Sequence, residues 1–190
     1  MSLITKAPPA ASIVINSTDL HLFMAEGINN PGVCFLPIPG STGLQMTLLD
    51  VTATGTVKAN QPGDFEAGLF VHVAEPNVAP PDGAIGGWVQ IGVSPAEPIG
   101  GAADLVATSW MIQGKDLMFN LQSGKMQGTF KSNVADNPVA AADLSTNPNN
   151  IDGDLSPLMY FAVGVRFTPT ADDGSTPEIE MANFILSGEI

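Results

Sequence analysis

The chain has 190 residues and a mass of 19.6 kDa, with 44% hydrophobic residues, 13% charged residues and a net charge of −13. This length suits one domain, and the apolar content is too high for a chain that is disordered throughout. The excess of acidic residues repels phosphate backbones and anionic lipid surfaces, so the composition argues against nucleic-acid binding and against membrane association.

The chain starts with MSLITKAPPAAS, in which no basic segment is followed by a long apolar one. We therefore expect no Sec export signal. We expect residues 1–11 to form an extended N-terminal arm, because prolines exclude a helix there, and residues 12–190 to form one domain. The candidate docking residues of this arm are Leu3, Ile4, Lys6, Pro8 and Pro9.

Alternation of apolar and polar residues with a period of two predicts short β-strands along most of the chain. The segments upstream of the C-terminal region that show it are ASIVINS, DLHLFMAE, GVCFLP, GLQMTLLDVTATGTVKA, EAGLFVHVAE, GGWVQIGVS, DLVATSWMIQ, KDLMFNLQ and GKMQGTFKSN. A predicted turn at Gln113–Asp116 separates DLVATSWMIQ from KDLMFNLQ. A second turn at QSGK leads into GKMQGTFKSN, so these three strands are expected to form a meander.

Two further strands are predicted near the C-terminus, in LMYFAVGVRFTPT and PEIEMANFIL. The apolar parity of the second shifts partway, which predicts a β-bulge near Ala182-Asn183. The intervening TADDGSTP is a predicted turn with Gly174 at a positive φ angle. Many short strands joined by connections of uneven length predict an all-β fold: a two-sheet β-sandwich that is jelly-roll-like.

The residues that carry chemistry are few and scattered. His21 and His72 lie inside strand patterns, and no nucleophile motif or spaced His cluster accompanies them. The acidic turns IDGD and ADDGS invite a calcium interpretation, but their spacing is not that of an EF-hand loop. We therefore predict no enzymatic activity, no metal and no cofactor.

Two groups of side chains are candidate binding residues. Three of the few basic residues fall in the central meander, where they either protect strand edges from aggregation or form a docking patch. Three aromatic residues are candidates for a sugar-stacking platform, although Trp in a strand pattern usually belongs to the core. The basic residues are Lys115, Lys125 and Lys131, and the aromatic residues are Trp88, Trp110 and Tyr160.

The start MSLITKAPPAAS, the Gly/Pro/Ala/Asn/Thr-rich strands and loops, the scarcity of charge and the lack of a catalytic constellation together resemble virion structural proteins of tailed bacteriophages. The resemblance is greatest to head decoration (cement) proteins with a jelly-roll-like body. It implies a non-enzymatic protein that binds and stabilises the outside of a phage head. It also implies synthesis in the host cytoplasm and the major capsid protein as partner.

The surplus of apolar residues in a chain of this size indicates self-association, for which a homotrimer is favoured over a homodimer. The alternative function is a carbohydrate-binding jelly-roll module that stacks sugars on exposed aromatic rings.

Overall fold

The computed structural model describes residues 3–6, 11–14, 21–22, 36–39, 48–74, 88–100, 107–120, 125–133, 136–138, 142–143, 158–170 and 174–189. Every regular element in these ranges is a β-strand, and the strands form two sheets. The predicted all-β, two-sheet sandwich is confirmed. None of the described residues forms a helix that is long and apolar enough to cross a bilayer.

Sheet A contains eight of the described strands, in the order β1-β14-β5-β9-β10-β11, with β2 also paired to β14 and β12 also paired to β10. Its strands are β1 (Leu3–Lys6), β2 (Ala11–Val14), β5 (Leu48–Ala59), β9 (Thr108–Asn120), β10 (Lys125–Ser132), β11 (Asp136–Pro138), β12 (Ala142–Asp143) and β14 (Glu178–Glu189).

Sheet B contains six described strands, in the order β3-β13-β6-β7, with β4 also paired to β13 and β8 also paired to β6. Its strands are β3 (His21–Leu22), β4 (Leu36–Pro39), β6 (Gly63–Ala74), β7 (Val89–Val93), β8 (Glu97–Ile99) and β13 (Leu158–Pro169). The connection from β13 to β14 therefore crosses from one sheet to the other. Gly174 in that connection has a φ of 79°, as the turn prediction requires.

The core lies between the two sheets and is built from inward residues of β5 to β10, β13 and β14. On β5 these are Val51, Ala53 and Val57, which are 0% exposed and alternate with outward threonines. Phe161, Val163 and Val165 on β13 face them from sheet B and are also 0% exposed. Each fully buried large apolar side chain stabilises the fold by about 1.5–3 kcal/mol, so this alternation is what holds the sheets together.

Two β-bulges shape sheet A. On β14, the register moves from Ala182–Thr56 to Ile185–Thr54, so β14 carries one extra residue, and Asn183 has a φ of 53°. This confirms the bulge predicted from the parity shift. Asn tolerates the left-handed conformation better than most residues with a side chain, which explains its position here.

The second bulge corrects the predicted turn at Gln113–Asp116. Strand β9 runs without interruption through these residues, and one extra residue is accommodated opposite Leu49 and Val51. Asp116 takes a φ of 51°, and its amide donates a hydrogen bond to Asp50 Oδ1 at 2.7 Å. The turn-forming residues thus make a bulge, because both neighbouring strands continue the sheet on either side of them.

Sheet B is buried on both faces near its centre. Phe70, His72 and Tyr160 lie on the face away from the core cluster and are 1%, 0% and 7% exposed. The alternation in β13 predicts that Tyr160 shares a face with Arg166, and Arg166 is half-buried in an ion pair with Glu66. Near-continuous apolar runs such as GLFVHV are typical of strands buried on both faces.

The N-terminal segment is partly described. Leu3, Ile4 and Lys6 lie on β1, which pairs with Leu186–Glu189 of β14. Over these four residues the chain is an edge strand of its own sheet rather than a free arm. Pro8 and Pro9 lie outside the described residues.

Candidate functional site on the outer face of sheet A

The outer face of sheet A contains a block of uncharged residues on three neighbouring strands. Thr52, Thr54 and Thr56 of β5 point outward, because the residues between them face the core. Their register partners on β14 and β9 are all uncharged, and they are Ser187, Ile185, Ala182, Gln113, Met111 and Ser109. In a chain with a net charge of −13, three successive charge-free rows make this face distinct. We call these nine residues the neutral block.

The middle row of the neutral block is apolar at both ends. Met111 is 39% exposed and Ile185 is 43% exposed, and each is a register partner of Thr54. Among the residues whose burial is described, Met111 and Ile185 are the large hydrophobic residues that are exposed. Scattered exposed apolar residues are normal, but two in one row of one sheet face mark a candidate contact surface.

Charged residues border the neutral block. At one end, Lys58 and Glu180 are register partners of opposite charge, and at the other end Asp50 is the register partner of Glu189. Opposite charges directly across a strand pair stabilise a sheet by a few tenths of a kcal/mol. A neutral centre with a charged rim is the usual composition of a protein interface.

Next to this middle row lies an open depression with a volume of about 340 Å³. Its lining residues are Thr54, Gly55, Thr56, Ser109, Trp110, Met111, Asn133 and Asn183. All are uncharged, and most carry a hydroxyl or an amide. The side-chain positions of Gly55 and Trp110 face the core, so these two residues contribute the floor rather than the walls.

Hydrogen bonds hold the polar walls of the depression in place. Thr56 Oγ1 donates to Ala182 O at 3.1 Å, and Asn183 Nδ2 donates to Thr56 Oγ1 at 3.3 Å. Asn133 Nδ2 donates to Ser109 O at 3.2 Å. The bulge in β14 is therefore tied to β5 through side chains, and the amide oxygens of both asparagines remain as acceptors.

Lys115, Lys125 and Lys131 lie along the same outer face on β9 and β10, where Lys115 and Lys125 are exposed and Lys131 is half-buried. The register places Asp143 opposite Lys125 and Asp136 opposite Lys131. The docking patch stays a prediction. Lys131 is the register partner of Gln113, and Lys115 is the next outward residue after Gln113 on β9, so these two lysines border the neutral block. Lys125 pairs with Asn120 and lies farther along the sheet.

The predicted aromatic platform is not assembled as an exposed surface. Trp88 and Tyr160 are each 7% exposed, and both contact His72, with ring centroids 5.5 Å and 6.4 Å away. Trp110 is 4% exposed and lies in the core between the sheets, so it is separated from the other two. Sugar stacking needs ring faces open to water, and burial removes that possibility for these residues.

Trp110 has a structural role that its sequence pattern suggests. Its ring stacks on Phe184 at 5.8 Å and covers Gly55, where an added Cβ would lie 2.9 Å from Cζ2. Its Nε1 is buried without a hydrogen-bond partner. Gly55 is required because any side chain there would displace the indole.

The remaining chemical candidates give no site in the described part of the chain. No group of three or more His, Cys, Asp or Glu residues that could hold a metal ion occurs among the described residues. His21 lies on β3 and His72 on β6. Cys34, the IDGD segment and Ala171–Asp173 of the second acidic turn lie outside the described residues.

No protein-family model matches this chain, and no curated protein matches it. Solved structures that are similar include lectin I from Ulex europaeus in complex with the methyl glycoside of α-L-fucose, with a TM-score of 0.38 and 9% identity over 98% of each chain. Arcelin-5, a lectin-like defense protein from Phaseolus vulgaris, has a TM-score of 0.32 and 11% identity over 100% of this chain and 98% of that one.

An alginate lyase mutant in complex with alginate trisaccharide has a TM-score of 0.34 and 10% identity over 94% of this chain and 98% of that one. These TM-scores are too low to support any statement about binding or activity in this chain.

Apart from Trp110, the residues of the neutral block and the depression were not predicted from the sequence. Two segments contain the pattern that could have identified them. In TATGT the outward residues of a strand are all Thr, and in WMIQ the alternation places Met111 on the outward face. Period-two alternation identified the strands, but it does not say which strands become neighbours, and the block exists only because β14, β5 and β9 are adjacent.

Proposed function

We propose that this protein is a non-enzymatic virion structural protein that docks onto the outside of a phage head through the neutral block. The observation that carries the proposal is the middle row of the block, where Met111 and Ile185 are exposed within nine uncharged residues of a strongly acidic chain. The non-enzymatic part of the proposal rests on the sequence, in which no nucleophile, base and orienting group can be named.

Charge selects this face as the docking surface. Most of the acidic surface of a −13 chain requires a basic partner or is repelled by an acidic one. The neutral block carries no such requirement, and interface cores are depleted in charged residues while Met is enriched. The receiving surface on the shell is therefore expected to be flat, uncharged and partly apolar.

The size of the block sets its role in the interface. Three strands spaced about 4.8 Å apart and three rows spaced about 6.8 Å apart cover roughly 300 Å². A standard interface buries about 800 Å² per partner, so the block is the centre of the contact and the charged border forms its rim. The few residues at such a centre usually supply most of the binding energy.

The proposal predicts that a major capsid protein is encoded near this chain's gene, and the test uses shells assembled from that protein. Wild type and the Met111→Glu and Ile185→Glu variants are sedimented with shells, and the bound fraction is measured against protein concentration. We expect each variant to bind at least tenfold more weakly, because burying a carboxylate in the interface centre reduces the binding free energy by about 1.4 kcal/mol or more.

Ala96→Glu is the matched control, because it adds the same charge at an exposed position in sheet B's β7–β8 connection. It should bind as the wild type does. Loss of binding in Ala96→Glu to the same extent would mean that added charge acts generally, and wild-type protein that fails to sediment with shells would refute the proposal itself.

A further inference from the structure

We infer that the depression beside Met111 binds a neutral saccharide. This site shares only Trp110 with the predicted aromatic platform, and Trp110 is buried beneath it. The inference does not depend on the proposed docking to a shell. The lining chemistry, the charge of the chain and the shape of the depression support it.

The lining offers hydrogen bonds without charge. Thr54 and Ser109 present hydroxyls, and Asn133 and Asn183 present amide oxygens whose Nδ2 groups are already bonded within the protein. A hydroxyl both donates and accepts, so the set suits a ligand that does the same at several neighbouring atoms. A sugar ring with adjacent hydroxyls has that property, and Met111 offers an apolar surface for its C–H groups.

Charge argues against cationic and anionic ligands. None of the described residues that line the depression has a carboxylate, so a metal ion or an ammonium group finds no counter-charge among them. The described lining also contains no Lys or Arg, and the −13 chain repels phosphate, sulfate and uronate groups. An uncharged ligand with many hydroxyls is what remains.

The shape indicates an oligosaccharide rather than a small enclosed molecule. A volume of about 340 Å³ is at the lower end of the roughly 300–1,000 Å³ of ligand sites. The depression opens to solvent across β14, β5 and β9, so a longer chain can extend over the sheet beyond it. Preformed walls tied by the Asn183 and Thr56 side chains reduce the entropy lost on binding.

The test is titration of the purified, ¹⁵N-labelled protein with gluco-, manno- and galacto-oligosaccharides, followed by amide and side-chain NMR shifts. At least one neutral oligosaccharide is expected to shift the Asn133 and Asn183 side-chain amides in the low millimolar range. Sodium alginate oligosaccharides, as an acidic probe, should bind at least tenfold more weakly.

Thr54→Val and Thr52→Val form a matched pair. Both threonines point outward from β5, but only Thr54 lines the depression. Thr54→Val should weaken binding about threefold to tenfold through one lost hydrogen bond, and Thr52→Val should leave it unchanged. Asn183→Gly keeps the bulge conformation and should weaken binding similarly.

The inference is wrong if no neutral oligosaccharide shifts these resonances, if the acidic probe binds more tightly, or if Thr52→Val and Thr54→Val behave alike. Each of these outcomes is measured on the isolated protein, so it leaves the docking proposal untouched. Because Met111 belongs to both surfaces, a saccharide that binds here should also compete with shell binding.

Discussion

Gly92→Ala is expected to destabilise the sandwich where β7 of sheet B crosses β10 of sheet A. A Cβ on Gly92 would lie 2.3 Å from Phe130 Cγ and 2.7 Å from both Cδ atoms. Ordinary carbon contacts are about 3.5–4.0 Å, so the ring would have to retreat by more than an ångström. Phe130 is 2% exposed, and it has only packed core to retreat into.

The cost of such overpacking is about 1–3 kcal/mol. For a chain of this size each kcal/mol lowers Tm by roughly 2–4 °C, so a decrease of about 2–12 °C is expected. Guanidinium unfolding followed by tryptophan fluorescence measures the change, since Trp88 and Trp110 are both buried. The midpoint should fall while the m value stays constant.

Phe130→Leu combined with Gly92→Ala tests the cause. If the loss comes from the ring meeting the new methyl group, the smaller Leu relieves it, and the double variant should be more stable than additivity predicts by about 0.5–3 kcal/mol. Gly174→Ala is the control, because no atom of the described residues lies within 4 Å of its Cβ position, so its φ of 79° is the expected source of its loss of stability. The stability losses of Gly174→Ala and Phe130→Leu should be additive. If the losses of Gly92→Ala and Phe130→Leu were also additive, the predicted clash would be refuted.

Three further predictions follow from the described residues. Glu66→Gln should lower the free energy of unfolding by about 1–3 kcal/mol, because it breaks the ion pair with Arg166, whose nitrogen–oxygen distances are 2.6 Å and 2.8 Å. Adding Arg166→Met to Glu66→Gln should recover part of that loss, as measured by urea unfolding of the double variant. Asn183→Val should destabilise the β14 bulge by about 1–2 kcal/mol more than Asn183→Gly in the same assay, since only Gly takes a φ of 53° without strain. Light scattering should give a homotrimer, and a clean 19.6 kDa species at micromolar concentration would contradict self-association.

The strands were predictable because alternation is a local property. The parity shift around Ala182-Asn183 even located a bulge, since an extra residue must invert which side chains face the core. The same local reasoning failed at Gln113–Asp116, where Gly and Asp are equally compatible with a turn and with a bulge. Only the strands on both sides of β9 decide between the two, and they are distant in sequence.

The binding residues were predicted less well, because burial of aromatic side chains depends on the whole fold. Tyr160 alternates with the core-facing residues of β13, and Trp88 directly precedes β7, but both contact His72 on a face of sheet B that is also buried. Trp110 follows its strand's inward parity and lies in the core, as its pattern suggests. The neutral block is formed by three strands from distant parts of the chain, so it cannot be predicted from any single segment.

The most direct test of the docking proposal is the rate at which hydrogen peroxide oxidises Met111 in the free and the shell-bound protein, measured by peptide mass spectrometry. Met111 is 39% exposed, whereas Met126 is 0% exposed and serves as the internal control. Docking through the neutral block predicts that shell binding slows Met111 oxidation several-fold and leaves the slow oxidation of Met126 unchanged. Shell-bound protein in which Met111 is oxidised as fast as in the free protein would contradict it.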